Sequence, residues 1–179
     1  DAPINRFGGT GTQPPAWSIN VDEDTWYQFT GGSLMDIVDV DVNEGTGVEE
    51  VTLTVSHGWL YLTDLTGLTF STGTGQFDTS MTFRGLIGDV NNALSSLWYL
   101  GFQDYNSNLS LDYLVIHTDD LGNTGAVGAL TDEDTVTINV KPMKAKKKGP
   151  MALCAKAWTE ERDDSPVYYT PNLGAYTRG

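Results

Sequence analysis

An all-β sandwich with one short helix and an extended arm at each end is the fold this sequence predicts, on three observations. Short runs of β-branched and aromatic residues recur at close intervals, each bounded by Gly, Asp or Asn. Two of them, Val51-Thr52-Leu53-Thr54-Val55 and Val136-Thr137-Ile138-Asn139-Val140, alternate apolar and polar residues strictly, as a strand with one face in a core requires. One segment alone carries helical spacing, after Asp89. At 179 residues, one domain that closes its own core is the expected size.

Taken in order, residues 1–18 are rich in Gly, Thr and Pro and read as an extended arm. From Ile19 the sandwich begins, and it is expected to occupy residues 19–140. Its strands are expected at Thr25 to Phe29, Ile37 to Val42, Glu50 to Ser56, Trp59 to Thr63, Leu68 to Ser71, Ser80 to Phe83, Leu97 to Phe102, Leu111 to Thr118 and Asp134 to Val140. Thr72-Gly73-Thr74-Gly75-Gln76 lacks the lysine and helix of a phosphate-binding loop and reads as a hairpin turn. Val90, Ala93, Leu94 and Leu97 follow Asp89 at helical spacing, which predicts a helix from Asp89 to Ser96, capped by Asp89 and plugging one end of the sandwich. The acidic pairs Glu49-Glu50 and Asp132-Glu133-Asp134 read as solvated loops. Residues 141–150, with five lysines and two prolines, form a linker. Residues 151–179 are apolar enough to seek burial and too short for a core of their own. They either pack back on their own domain or complete a neighbour's, for example by adding a strand to an exposed sheet edge.

Charge divides the chain at the same place. Residues 1–140 hold 20 Asp and Glu against Arg6 and Arg84 and contain no lysine, whereas residues 141–179 hold eight Lys and Arg against four acids, for a total of −14. A body so poor in cations is unsuited to nucleic acid, whose phosphates must be met by Lys or Arg. The two parts are electrostatic partners for one another, so the tail of one copy can dock on the body of the next. Lys146, Lys147 and Lys148 would steer that contact, and Leu153, Trp158, Val167, Tyr168 and Tyr169 would anchor it. Cys154 is the sole cysteine, which excludes an intrachain disulfide and any two-cysteine metal or redox motif. No run of 18 apolar residues occurs, so no membrane span is expected, and the start at Asp1 fits a trimmed secreted protein. Asn108-Leu109-Ser110 satisfies the N-glycosylation pattern at Asn108.

Three acidic groups, Asp22-Glu23-Asp24, Asp39-Val40-Asp41 and Asp119-Asp120-Leu121-Gly122-Asn123, each fall at the end of an expected strand. Loops at strand ends gather at the ends of a sandwich, where several can converge on a hard cation. Calcium takes oxygens from carboxylates, Asn side chains and backbone carbonyls, and these groups supply all three.

The order of segments is also familiar. Val21-Asp22-Glu23-Asp24-Thr25, Val38-Asp39-Val40-Asp41, Gly58-Trp59-Leu60-Tyr61-Leu62, Gly67-Leu68-Thr69-Phe70, Met81-Thr82-Phe83-Arg84-Gly85, Asn91-Asn92-Ala93-Leu94 and Asp120-Leu121-Gly122-Asn123-Thr124-Gly125 resemble the cadherin-like (CSPG-type) repeats of large bacterial surface adhesins. The resemblance covers roughly residues 19 to 140. It implies an immunoglobulin/cadherin-like β-sandwich, extracellular or at the cell surface, commonly calcium-binding, used as a stalk or adhesive module. Carried over by position, it implies Glu23, Asp39, Asp41 and Asp120 as calcium ligands, with Asp119 and Asn123 as helpers. Family members stand in long tandem arrays, whereas this is a single copy with an added arm at each end.

These readings converge on a secreted structural subunit that polymerises head to tail into an extracellular filament or surface appendage, stabilised by calcium. The alternative is a monomeric calcium-binding adhesin or carbohydrate-binding module, since Trp17, Trp26, Trp59, Trp98 and Trp158 include candidate stacking platforms for glycans. Of these, Trp98 is expected in the core. His57 and His117 belong to no nucleophile, zinc or phosphate motif, and catalysis is not expected.

Overall fold

Alternation of buried and exposed residues builds the fold strand by strand. In the computed structural model the described residues are 1–9, 17–122 and 128–143. The chain divides into a unit Asp1–Met143 and a remainder Lys144–Gly179, which lies outside the described residues. The strands are β1 (Ile4–Phe7), β2 (Trp17–Asp22), β3 (Tyr27–Gln28), β4 (Met35–Val38), β5 (Val48–Val55), β6 (Gly58–Leu62), β7 (Thr69–Thr72), β8 (Gln76–Asp78) and β9 (Ser80–Leu86). Helix α1 (Ile87–Ser95) follows, then β10 (Leu97–Gly101), β11 (Asp112–Asp119) and β12 (Thr131–Lys141).

Six strands form one sheet in the order β2-β12-β11-β5-β9-β7, four form a second in the order β3-β10-β6-β8, and β1 pairs with β4. The fold is a β-sandwich, as expected. Val51, Leu53 and Val55 of β5, Leu114 and Ile116 of β11, and Val136, Ile138 and Val140 of β12 turn one face of the large sheet inward. Leu60 and Leu62 of β6 and Leu97 and Tyr99 of β10 do so from the small sheet. Each fully buried aliphatic side chain contributes about 2 kcal/mol relative to exposure. Neighbouring strands are antiparallel except β2 and β12, which run parallel from Val136 opposite Trp17 to Lys141 opposite Asp22.

The N-terminal segment is not a free arm. Residues Ile4–Phe7 pair with Met35–Val38, and the Phe7 ring stacks on Trp17 at 5.4 Å with both rings buried. Burying these aromatic surfaces draws the segment into the core, so the folded unit begins at Asp1 rather than at residue 19. The helix also starts earlier than the spacing suggests. Leu86 holds the cap position and Asp89 lies in the first turn, because β9 runs into the helix without a loop. Asn91 then fastens it to β4, accepting from the Ile37 amide at 2.7 Å and donating to the Ile37 carbonyl at 2.9 Å. Val90, Ala93 and Leu94 are its buried face.

One buried carboxylate ties the two sheets together. Asp112, fully buried at the start of β11, accepts the amides of Ser56, His57 and Tyr113 on Oδ1 at 3.0, 3.1 and 2.8 Å. Its Oδ2 accepts the hydroxyl of Tyr99 on β10 at 2.8 Å. Burial and then the Asp112 charge push the Tyr99 hydroxyl above its ordinary range, so it remains a donor. Gly58 makes room for that ring, since a Cβ there would stand 2.3 Å from Tyr99 Cε2. Asp112→Ala is expected to lower unfolding stability by about 3 kcal/mol in urea titrations, and Tyr99→Phe by about 1 kcal/mol, because only the former strands several buried donors.

Candidate cation site and aromatic face

The core-facing row of β11 begins at Asp112 and continues past the strand's last residue to Asp120, at the opposite end of the sandwich. Asp119 stands opposite Glu50 across the β5–β11 ladder, so Asp120 and Glu49 come next to one another. Glu49 occupies a core-facing position of β5, one step beyond Val51, Leu53 and Val55, and is fully buried. β4 runs toward the same end and delivers Asp39 and Asp41 just beyond Val38.

Asp120 is fully buried, and its Oδ1 accepts the amides of Gly122 and Leu130, both at 2.8 Å. Asp120 Oδ2 has no hydrogen-bond partner among the described residues. Asp39 is buried as well; its Oδ1 accepts the Asp41 amide at 3.1 Å, while Oδ2 has no N–H or hydroxyl donor among the described residues. Burial, and then a shared hydrogen bond with Asp41, raise the Asp39 carboxyl above the usual carboxylate range, and Glu49 lies against it. The same contact, followed by the amino group of Asp1, lowers Asp41. That amino group pairs with Asp41 Oδ2 and feels Asp39 and Asp120 as well, so a positive group is drawn among the acids. Asn5, Thr118 and Asp134 complete a buried polar layer at this end, with Thr118 Oγ1 donating to Asn5 Oδ1 at 2.7 Å. Burial, and then the Asp132 charge, raise Asp134.

Sequence expectation and structure diverge at several of these residues. Glu23 does not join the cluster. Because β2 runs parallel to β12, its end lies beside Lys141, at the far end of the sandwich from Asp120. There Glu23 accepts from Asn106 Nδ2 at 3.2 Å and from the Met143 amide at 2.9 Å. Asp119 is only half-buried and accepts the Leu121 amide. Asn123 lies outside the described residues, as do Lys146, Lys147, Lys148, Leu153, Trp158, Val167, Tyr168 and Tyr169. Asn108 is exposed. Glu49 and Asp134 are not solvated loop residues but buried strand residues. The period-two pattern shows them once Val51-Leu53-Val55 is extended back to 49 and Val136-Ile138-Val140 back to 134. As they stand, no three His, Cys, Asp or Glu side chains among the described residues are grouped to hold a metal ion.

A second feature lies on the outer face of the small sheet. Tyr61 of β6 and Trp98 of β10 are directly opposed there, so Trp98 is a half-buried surface residue and not a core one. Trp26 and Phe77 lean over them from the two margins. Trp26 lies 6.1 Å from Tyr61 and 5.8 Å from Phe77, and Phe77 lies 5.4 Å from Tyr61, all edge to face. With Thr63 these rings line an open cleft of about 350 Å³. Phe77 is 56% exposed and holds φ +57, a conformation a bulky residue adopts only at a cost of roughly 1–3 kcal/mol. Trp59 continues the patch, packed against Phe102.

No family model matches the chain, and a comparison with curated proteins gives no match. Among solved structures the chain is similar to the ASH/PapD-like domain of human CEP192 (PapD-like domain 7), at 8% identity and a TM-score of 0.32, over 79% of this chain and 87% of that one. No helix among the described residues is long and apolar enough to cross a membrane.

Replacing one buried acid by its neutral isostere tests whether the cluster is under electrostatic load. Asp39→Asn keeps the oxygen that accepts the Asp41 amide, and in chelator it is expected to raise the melting temperature by about 3 °C in calorimetry.

Proposed function

We propose that this chain is a structural subunit of an extracellular filament or surface appendage, stabilised by calcium at the Asp120 end and joined head to tail through its C-terminal segment. The observation that carries the reading is the cluster of solvent-shielded carboxylate oxygens without a hydrogen-bond partner among the described residues, Asp39 Oδ2, Asp41 Oδ1 and Asp120 Oδ2, beside fully buried Glu49. Buried carboxylates without a counter-charge are costly, and a hard divalent cation is the group whose chemistry matches an all-oxygen donor set. Asp39, Asp41, Glu49 and Asp120 would hold it, Asp119 standing at the rim. Bound calcium would add positive charge to a layer whose one cationic neighbour is the exposed amino group of Asp1, and β4, β5 and the loop after β11 would be cross-linked through it. On this reading, millimolar calcium raises the melting temperature and chelator lowers it. Asp120→Asn abolishes most of the calcium-dependent increment, and an unchanged melt across both conditions removes the calcium part of the proposal.

Support for polymerisation is the charge division, with a body that holds no lysine before Lys141 and a basic, apolar segment after it. The body's two arginines are already paired, Arg6 with Asp36 and Arg84 with Glu50, so its acidic surface is left for an outside cation. A contact between one copy's tail and the next copy's body is heterologous and extends without limit when its rotation does not close. Electron microscopy of the full chain in calcium is expected to show filaments, and the double variant Trp158→Ser/Tyr168→Ser dispersed particles. Dispersed particles from both overturn the filament reading and favour the second one, a calcium-stabilised adhesin or carbohydrate-binding module, to which the exposed rings of Trp26 and Trp59 lend support.

A further inference from the structure

The outer face of the large sheet is polar, with Thr52 and Thr82 at 2.9 Å, Thr54 and Ser80 at 2.9 Å, and His117 beside Glu133. The outer face of the small sheet is aromatic, and this difference calls for an occupant. Sugar rings stack on exposed aromatics, but their hydroxyls need side-chain donors and acceptors around the ring. Of the cleft's five lining residues, Trp26, Tyr61, Thr63, Phe77 and Trp98, only Thr63 and the Tyr61 hydroxyl both donate and accept, and the indole N–H groups of Trp26 and Trp98 donate only. Such a lining suits an apolar, aromatic-bearing polypeptide.

The surroundings specify the charge of that polypeptide. Asp24 lies two residues from Trp26, Asp64 follows Thr63, and the Asp104 amide donates to Asp24 at 3.1 Å. Among the described residues, Arg6 and Arg84 pair with Asp36 and Glu50, and Lys141, opposite Asp22 at the end of β12, is the one lysine on this body. The chain itself supplies a matching segment in residues 144–179, where seven basic residues against four acidic accompany Leu153, Trp158, Val167, Tyr168 and Tyr169. At up to about 3.3 Å per residue, 36 residues reach far beyond the span of one sheet, ample for contact with a second copy.

We propose that the cleft of Trp26, Tyr61, Phe77 and Trp98 is the docking site for residues 144–179 of a second copy of this chain. The inference rests on the head-to-tail reading above and names its acceptor surface. The lysines of the incoming segment lie over Asp24, Asp64 and Asp104 and set its direction, while Trp158 or the Tyr168-Tyr169 pair enters between Trp26 and Phe77. The conformation of Phe77 is held for that purpose, forming one wall of the cleft.

The test uses full-length protein. Phe77→Ser and Trp26→Ser alter exposed side chains, and unchanged melting confirms that the variants fold. Each is expected to reduce the sedimentable fraction at least tenfold. Separately, a dye-labelled peptide of residues 144–179 is titrated, by fluorescence anisotropy, into full-length Trp158→Ser/Tyr168→Ser. It is expected to bind, with Phe77→Ser on that background weakening it at least tenfold. Peptide binding that Phe77→Ser does not weaken, or no binding at all, overturns the proposal. So does displacement of the cleft's tryptophan emission by oligosaccharides but not by the peptide, which assigns the cleft to glycans. Filaments that survive Phe77→Ser leave the filament reading standing while this site falls. Peptide bound at the cleft without any filaments does the reverse.

Discussion

The rest of the fold depends on a single buried carboxylate, Asp112. Four hydrogen bonds converge on it from three places: the β5–β6 turn that carries the chain from one sheet to the other, its own strand, and Tyr99 of the facing sheet. A charge in a dry interior is tolerated only when donors surround it, and here they come from both layers. The sheets therefore have a fixed separation and register at this end, and the aliphatic rows between them pack against that reference.

The same row of β11 reaches Asp120, about 26 Å further along at roughly 3.3 Å per residue. Both ends of the row are buried aspartates, yet their surroundings are opposite. Asp112 has its oxygens used, while Asp120 keeps one without a partner and faces Glu49, Asp39 and Asp41. Identical chemistry thus ties the sheets together at one end and leaves, at the other, a carboxylate oxygen without a donor among the described residues. The contrast is what separates a structural carboxylate from a candidate ligand in this molecule.

Much of the architecture was legible in the sequence, because period-two alternation in β5, β11 and β12 is imposed by the core that those strands cover. Pairing partners were not legible. The N-terminal strand is only four residues long, and its membership in the fold is decided by its pairing with β4 and by the Phe7–Trp17 stack, which no local pattern announces. The candidate site divides in the same way. Asp39, Asp41 and Asp120 are visible as acids at strand ends, whereas Glu49 reads as a solvated loop acid because its charge outweighs its place in an apolar alternation. Glu23 looks equivalent to them in sequence, because the direction of β2 is not written in its residues. A parallel neighbour for β12 sends the end of β2 to the other side of the molecule, and that is a fact of topology, not of composition.

The parallel pairing of β2 with β12 also has a mechanical meaning. Tension applied at the start of β2 and at the end of β12 runs along the strands, so the hydrogen bonds between Trp17–Asp22 and Val136–Lys141 are loaded in shear. They must fail together and not one after another, as they would if a hairpin were peeled open. A unit wired in this way resists stretching along its own length, whatever is attached beyond its two ends.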